Sequence, residues 1–230
     1  MTRRPYVLIN VAATLDGKID TVERRGATIS SERDRHRVDL LRASADAVMV
    51  GGRTLRDEDP RLLVRSADLR AERRSRGLPE NPAKVAVVST LRLKPDARFL
   101  TAGPARIIVF TPTGDQAHAA ALPRQLGVEV YAFGAGRVDL KAALATLADL
   151  GIQRVLVEGG GSLNFELLRG RLVDEVHVFV APLIFGGASA PTLADGAGLT
   201  RDLALPLSRA DVETWDDGGI VLRYKVDPRE

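Results

Sequence analysis

Short apolar runs alternate with amphipathic stretches along most of the chain. Residues 6–13 (YVLINVAA) form the first run, closed by Leu15-Asp16-Gly17-Lys18. A run of that length, rich in aliphatic and β-branched residues and stopped by a turn sequence, has the size of a buried strand. The pattern returns at 46–50, 84–88, 106–110, 128–133, 154–157 and 175–181, the last halted by Pro182. Helical spacing fills several of the gaps. Ser30 and Ser31 precede Glu32 and Asp34, after which Val38, Leu41 and Ala45 recur on one face. Residues 115–125 are Ala-rich and helical in pattern. Asp139 is placed to cap a helix over 140–150 that ends at Gly151, and Ser162 begins a compact pattern of Leu163, Phe165, Leu167 and Leu168. Residues 55–65 read as a polar loop. Near the end, 205–215 and 219–226 flank Asp216-Asp217-Gly218, a hairpin signal.

This alternation predicts an α/β fold with a mostly parallel central sheet, helices on both faces and a C-terminal antiparallel hairpin. The 230 residues read as one domain, since no repeat, low-complexity tract or linker divides them. Residues 66–82 are densely charged and end in Gly77, Pro79 and Pro82, which reads as a solvated surface insertion.

Charge changes the picture little. The net charge is +3, and 66–76 alone sets four Arg against Asp68 and Glu72, so the basicity is a local patch rather than a nucleic-acid face. Without cysteine there is no disulfide, thiol nucleophile or thiolate metal site. His36, His118 and His177 stand far apart with no partner at ligand spacing, so no metal is expected. The basic and apolar start resembles a leader, but Asn10 interrupts it and it flows into the Leu15-Asp16-Gly17 turn, so it reads as a strand. No apolar run approaches the roughly 18 residues of a membrane span. The expectation is a cytoplasmic protein with no membrane or nucleic-acid partner.

The chemistry concentrates where the run 154–157 ends in Glu158-Gly159-Gly160-Gly161. Glycines between a buried strand and a helix start let main-chain N–H groups approach a ligand with no Cβ in the way. The helix N-terminus adds partial positive charge, which suits a phosphate or pyrophosphate. A tight turn with a capping serine explains the triplet equally well. Glu158 stands at the carboxyl end of the strand, where open α/β sheets bind ligands, and a carboxylate there is costly unless paired or used. Other signatures fail by single residues. Ala12 and Ile19 break a phosphate-loop pattern, Asp139 breaks the dinucleotide fingerprint after Gly134, and Asn164 and Pro191 spoil two nucleophile elbows. What remains is a set of strand ends: Asn10, Gly51-Gly52-Thr54, Ser89-Thr90 and Glu158 to Gly161. That set suits an anionic hydride carrier oriented against a second phosphorylated molecule.

Four motifs in order extend this reading: Thr14-Leu15-Asp16-Gly17-Lys18; Ile29-Ser30-Ser31 through Leu41-Arg42-Ala43 to Val50-Gly51; Thr54 to Arg65 around Asp59-Pro60-Arg61-Leu62; and Glu158-Gly159-Gly160-Gly161 leading to Asp174-Glu175 and Pro182 to Gly187. In these the chain resembles the riboflavin-pathway pyrimidine reductases, a dihydrofolate-reductase-like family. The resemblance implies NADPH as cofactor, a ribosylaminopyrimidinone 5′-phosphate as substrate, reduction at C1′ to a ribitylamino product, and a homodimer. By position it implies that Ala12, Thr54, Glu58, Ser89, Thr90 and Gly159, Gly160, Gly161, Ser162, Leu163 and Asn164 line the cofactor site. Gly26, Arg42, Leu62, Arg65 and Glu158 would meet the substrate, with Arg42 and Arg65 as phosphate partners and Glu158 as the catalytic residue. Glu58 stands where the family usually pairs two aspartates before the proline, and Thr28 where its fused bacterial members carry Trp. A dihydrofolate or pterin reductase of the same fold, or a non-catalytic nucleotide-binding protein, are the competing readings. The apolar strand 176–180 with Leu183, Ile184 and Phe185 offers a second ground for a dimer, as a strand or face beyond one subunit's core.

Overall fold

The computed structural model describes residues 3–114 and 127–227, so the helix expected over 115–125, with His118, lies outside the described residues. In chain order the elements are β1 (Tyr6–Thr14), α1 (Glu32–Ser44), β2 (Ala47–Gly51), α2 (Gly52–Glu58), α3 (Ala67–Ser75), β3 (Ala83–Val87), α4 (Arg98–Thr101), β4 (Ile107–Thr113), β5 (Val128–Ala135), α5 (Leu140–Asp149), β6 (Arg154–Val157), α6 (Gly161–Arg169), β7 (Glu175–Ala181), β8 (Leu207–Thr214) and β9 (Ile220–Val226). They fall into two compact units, Met1–Pro5 with Val38–Leu156 and Tyr6–Arg37 with Val157–Glu230.

In the first unit the strands are ordered β5-β4-β3-β2-β6, and β2 to β5 pair in parallel. Every residue of β2 is buried, as are the first four of β3, so these strands read as unbroken apolar runs rather than an alternation. Asp46 ties the starts of β2 and β6, its carboxylate accepting the N–H groups of Gln153 (2.8 Å) and Arg154 (2.9 Å). The expected Asp139 cap is present, with the carboxylate accepting from Lys141 N and Ala142 N. Gly151 takes the left-handed φ of +84° that ends the segment after α5.

In the second unit the order is β1-β7-β9-β8, with β1 and β7 parallel and both β7–β9 and β8–β9 antiparallel. The hairpin signal at Asp216-Asp217-Gly218 thus marks a real hairpin. Phe179 and Trp215 pack with ring centroids 5.2 Å apart in a cluster that includes Ile29 and Val221, and the Arg33 guanidinium sits 4.6 Å above the Trp215 ring. Among the described residues no helix is long and apolar enough to cross a membrane, and no group of three His, Cys, Asp or Glu could hold a metal.

Three expectations need correction. Residues 55–58, expected in a polar loop, belong to α2, because buried Thr54 and Leu55 give this polar helix a core-facing side. The charged segment 66–82 is not merely a surface insertion. It contains α3, capped by Ser66 accepting from Leu69 N, and its Arg73 is 2% exposed. That guanidinium donates to Ala43 O (2.7 Å) and Ala45 O (2.8 Å), carbonyls left over where α1 ends, and to Pro79 O (2.9 Å) after α3. Burial lowers its pKa. The third correction concerns β7, which pairs with β1 on one side and β9 on the other and so has no free edge to offer a second subunit. Leu183 and Ile184 do remain exposed.

Among the described residues, one of the largest fully buried side chains is a lysine. Lys84 on β3 is 0% exposed, and its ammonium donates to Phe99 O (2.9 Å) and Ala102 O (2.5 Å) around α4. Desolvation, partly offset by Asp59, lowers its pKa from 10.5 to about 8. Between those values the unfolded chain holds the proton and the folded chain releases it, so this group's contribution to stability rises with pH. We expect wild-type unfolding free energy from urea titrations to climb relative to Lys84→Met between about pH 8 and 10, by at most ~1.4 kcal/mol per pH unit. Parallel pH profiles for the two proteins would contradict the assignment.

Candidate cofactor and substrate site

The residues singled out in the sequence divide between the two units. Thr54, Glu58, Ser89, Thr90, Arg42, Leu62 and Arg65 belong to the first, and Ala12, Gly26 and Glu158 to Asn164 belong to the second.

In the first unit, β2 and β3 run parallel with Gly51 opposite Val87, so α2 and the segment after β3 both leave the carboxyl ends of their strands. Gly52 lies against Val88, where an added Cβ would sit 3.4 Å from the Val88 Cα. That contact sets the start of α2, with buried Thr54, beside exposed Ser89 and Thr90. Glu58 is exposed at the end of α2, and its main-chain carbonyl accepts from Arg98 (2.7 Å). Asp59 follows in the left-handed region (φ +43°) and accepts the N–H groups of Arg98 and Phe99 at the start of α4. The residue that departs from the family's acidic pair thus sits on a fixed corner. Leu62 is 1% exposed with φ +53°, so its side chain lies in the core rather than open to a ligand. Arg42 on α1 donates to Leu63 O (3.0 Å), while the Arg65 side chain is exposed.

In the second unit the glycine turn leaves the end of β6. Glu158 is half-buried, Gly159 has φ +103° with open space where a Cβ would point, and the Gly159–Gly160 peptide is cis. Gly160 occupies the N-cap of α6, and no side chain caps that end. Ser162 is therefore exposed inside the first turn rather than the expected cap, since the helix starts one residue before it. Gly161 is pressed against another segment: an added Cβ would lie 2.4 Å from Thr192 O and 2.7 Å from the Asp195 carboxylate. Gly161 O in turn accepts from Asp195 N (3.0 Å), and Asp195 also accepts from Thr192 N and its hydroxyl. Asn164 is 0% exposed and donates to Leu193 O (2.8 Å), so it grips the same segment. Leu163 is buried.

Ala12 is half-buried on β1 beside Phe179. Beyond β1, Asp16 accepts from the Thr14 hydroxyl (2.5 Å) and from Gly186 N (2.7 Å), joining the loops after β1 and β7. The Thr14 hydroxyl, then the Gly186 and Phe185 amides, lower its pKa. Gly26 is exposed with φ +75°, and its N–H donates to Asp20 (2.9 Å), which is 7% exposed and also holds the N–H groups of Thr21 and Ala27. Asp20, Asp39, Thr192 and Asp195 were not singled out in the sequence. The three aspartates act on main chain, Asp20 within its own loop and Asp39 26 positions away from Arg65, and Thr192 donates its hydroxyl to Asp195.

A largely parallel α/β arrangement closed by an antiparallel hairpin, with a glycine turn leaving a strand end, defines the dihydrofolate-reductase-like class. Dihydrofolate reductase from Enterococcus faecalis shares the fold, with a TM-score of 0.53 at 12% identity over 97% of each chain. The family described as RibD C-terminal domain matches residues 5–221, and the chain belongs to that family. It is 41% identical over 198 residues to the 2,5-diamino-6-ribosylamino-4(3H)-pyrimidinone 5′-phosphate reductase of Archaeoglobus fulgidus, covering 86% of this chain and 90% of that one. The protein of the same name from Methanothermobacter thermautotrophicus is also 41% identical, over 85% of this chain and 86% of its own length. RibD of Acinetobacter baumannii superposes with a TM-score of 0.78 at 28% identity, over 97% of this chain and 58% of that one. The chain therefore spans little more than half the length of that protein.

The packing around α6 makes a prediction that separates its two small residues. Gly161→Ala should lower stability by about 2 kcal/mol, because the new methyl meets a main-chain carbonyl that must move. Ser162→Ala should leave stability within about 0.5 kcal/mol, since the serine caps nothing. Thermal unfolding of both variants checks this, and the reverse ranking would restore the serine as the cap.

Proposed function

We propose that the chain is an NADPH-dependent reductase of 2,5-diamino-6-ribosylamino-4(3H)-pyrimidinone 5′-phosphate, converting the ribosylamino group to ribitylamino. The observation that carries this is the 41% identity, over nearly the full length of both partners, to two proteins of that name. The diamino form of the substrate follows from those names.

The residues present fit a dinucleotide. The N-terminus of α6 has no side-chain cap, glycines flank it, and the Thr192–Asp195 segment holds Gly161 in place. Main-chain N–H groups of Gly161 and Ser162 would hold the pyrophosphate there, where the helix dipole favours negative charge. Thr54, Ser89 and Thr90 would take further polar groups of the cofactor. When bound, the nicotinamide supplies a hydride.

The chain's own residues position the acceptor. Arg65 holds the 5′-phosphate by charge-assisted bonds, with Arg42 beside it. Glu158, at the end of β6, orients the ribosylamino group so that C1′ of the ring-opened imine faces the hydride donor. C1′ would take up one hydrogen with its electron pair as hydride, the C=N π pair would move to nitrogen, and a solvent-derived proton would complete the amine.

Kinetics separate the roles. Arg65→Ala should raise KM for the pyrimidinone at least tenfold, with kcat held within about threefold. Glu158→Gln should lower kcat on the order of a hundredfold with a smaller change in KM, because a small misplacement of C1′ spoils the transfer geometry. NADPH affinity should hold in both. Turnover of dihydrofolate but not the pyrimidinone would move the protein to the pterin reductases, and turnover of neither would leave a nucleotide-binding protein.

A further inference from the structure

Residues 63–66 belong to no helix or strand, yet side chains meet their main chain at six atoms. Leu63 O accepts from Arg42 (3.0 Å), and Val64 N donates to Asn81 Oδ1 (3.0 Å). Arg70 donates to Val64 O (2.9 Å) and Arg65 O (2.6 Å). The two oxygens of Asp39 accept from Arg65 N (2.6 Å) and Ser66 N (2.7 Å). Asp39 is 5% exposed, Asn81 3% and Val64 1%, while the Arg65 side chain points to solvent. A stretch with no regular structure has thus been made rigid by buried side chains, and its one outward-facing cation is Arg65.

We propose that Asp39 is a positioning residue for substrate phosphate recognition. Its carboxylate holds the N–H groups on both sides of the Arg65 Cα–C bond, and so fixes where the guanidinium meets the 5′-phosphate. The claim rests on the role given to Arg65 above. Asp39 does not touch the ligand; it removes the freedom that Arg65 would otherwise lose on binding. A carboxylate is required because it offers two acceptors and no donor. An amide of the same size offers one acceptor and turns an NH2 toward the second main-chain N–H.

Asp39→Asn is therefore the test, read as steady-state kinetics on the phosphorylated substrate and on its dephosphorylated nucleoside. We expect KM for the phosphorylated substrate to rise about tenfold, the size of one lost bond to a charged group. KM for NADPH should hold. The kcat/KM for the nucleoside should match wild type, an outcome that a general loosening of the fold would not give. In Arg65→Ala the added Asp39→Asn change should raise KM no further, since the carboxylate acts only through that arginine. Additive losses, an equal loss with the nucleoside, or an unaltered KM would each overturn the proposal. Should Asp39→Asn fail to fold, Arg70→Ala loosens the same segment from its carbonyl side. It should give the same phosphate-specific, non-additive rise, and additivity there would count equally against the proposal. If Arg65→Ala itself leaves KM unaltered, the assignment of Arg65 falls and takes this one with it. If Arg65→Ala raises KM and Asp39→Asn does not, only the positioning role falls.

Discussion

Main-chain N–H and C=O groups that no helix or strand satisfies must find other partners or remain costly, and this constraint shapes several loops that carry candidate site residues. The chain meets it chiefly with aspartate. Asp20 holds the loop of Gly26, Asp39 the segment of Arg65, Asp59 the corner after Glu58, and Asp195 the turn at Gly161. Asp46 and Asp174 do the same for the starts of strands, taking the N–H groups of Arg154 and Val7. A short side chain with two acceptors and no donor suits this task, because it reaches two adjacent amides without a long rotamer to order. Where a carbonyl is left over, arginine answers, as Arg70 does at Val64 and Arg73 at Ala43. Several residues that look like surface charge in the sequence thus fasten main chain, Asp39 and Arg73 among them.

This explains what could be read in advance and what could not. The strands were legible because burial on both faces produces continuous apolar runs, as at 47–51 and 83–87. Asp139 was legible because a cap acts two and three residues away. The glycine turn was legible as a place of close approach, although the cap at its end proved to be Gly160 rather than Ser162. Arg73 was not legible. Its partners lie 28 and 30 positions away, and nothing near it in the sequence distinguishes it from its exposed neighbour Arg74. Asp39 was missed for the same reason, its partners lying 26 and 27 positions away. Lys84 was read only as the start of a strand, because an apolar run says nothing of which polar residue within it is buried and bonded.

The same constraint connects the fold to the proposed chemistry. Reduction by a bound hydride carrier asks little of acid or base groups and much of geometry, so the protein's contribution is to hold loops still. The second unit supplies a helix start left uncapped by any side chain and a glycine turn braced by Thr192 and Asp195. The first supplies an exposed cation on a segment gripped at six main-chain atoms. Under the proposed function, the helix start would meet the cofactor pyrophosphate and the exposed cation the substrate phosphate.

The most direct measurement follows the transferred atom. NADPH carrying deuterium at the reactive C4 position would be incubated with the protein and 2,5-diamino-6-ribosylamino-4(3H)-pyrimidinone 5′-phosphate, and the product analysed by mass spectrometry and NMR. The account predicts a ribitylamino product one mass unit heavier than that from unlabelled cofactor, with the deuterium on C1′. A product whose C1′ hydrogen comes from solvent, or deuterium placed on the pyrimidine ring, would contradict it.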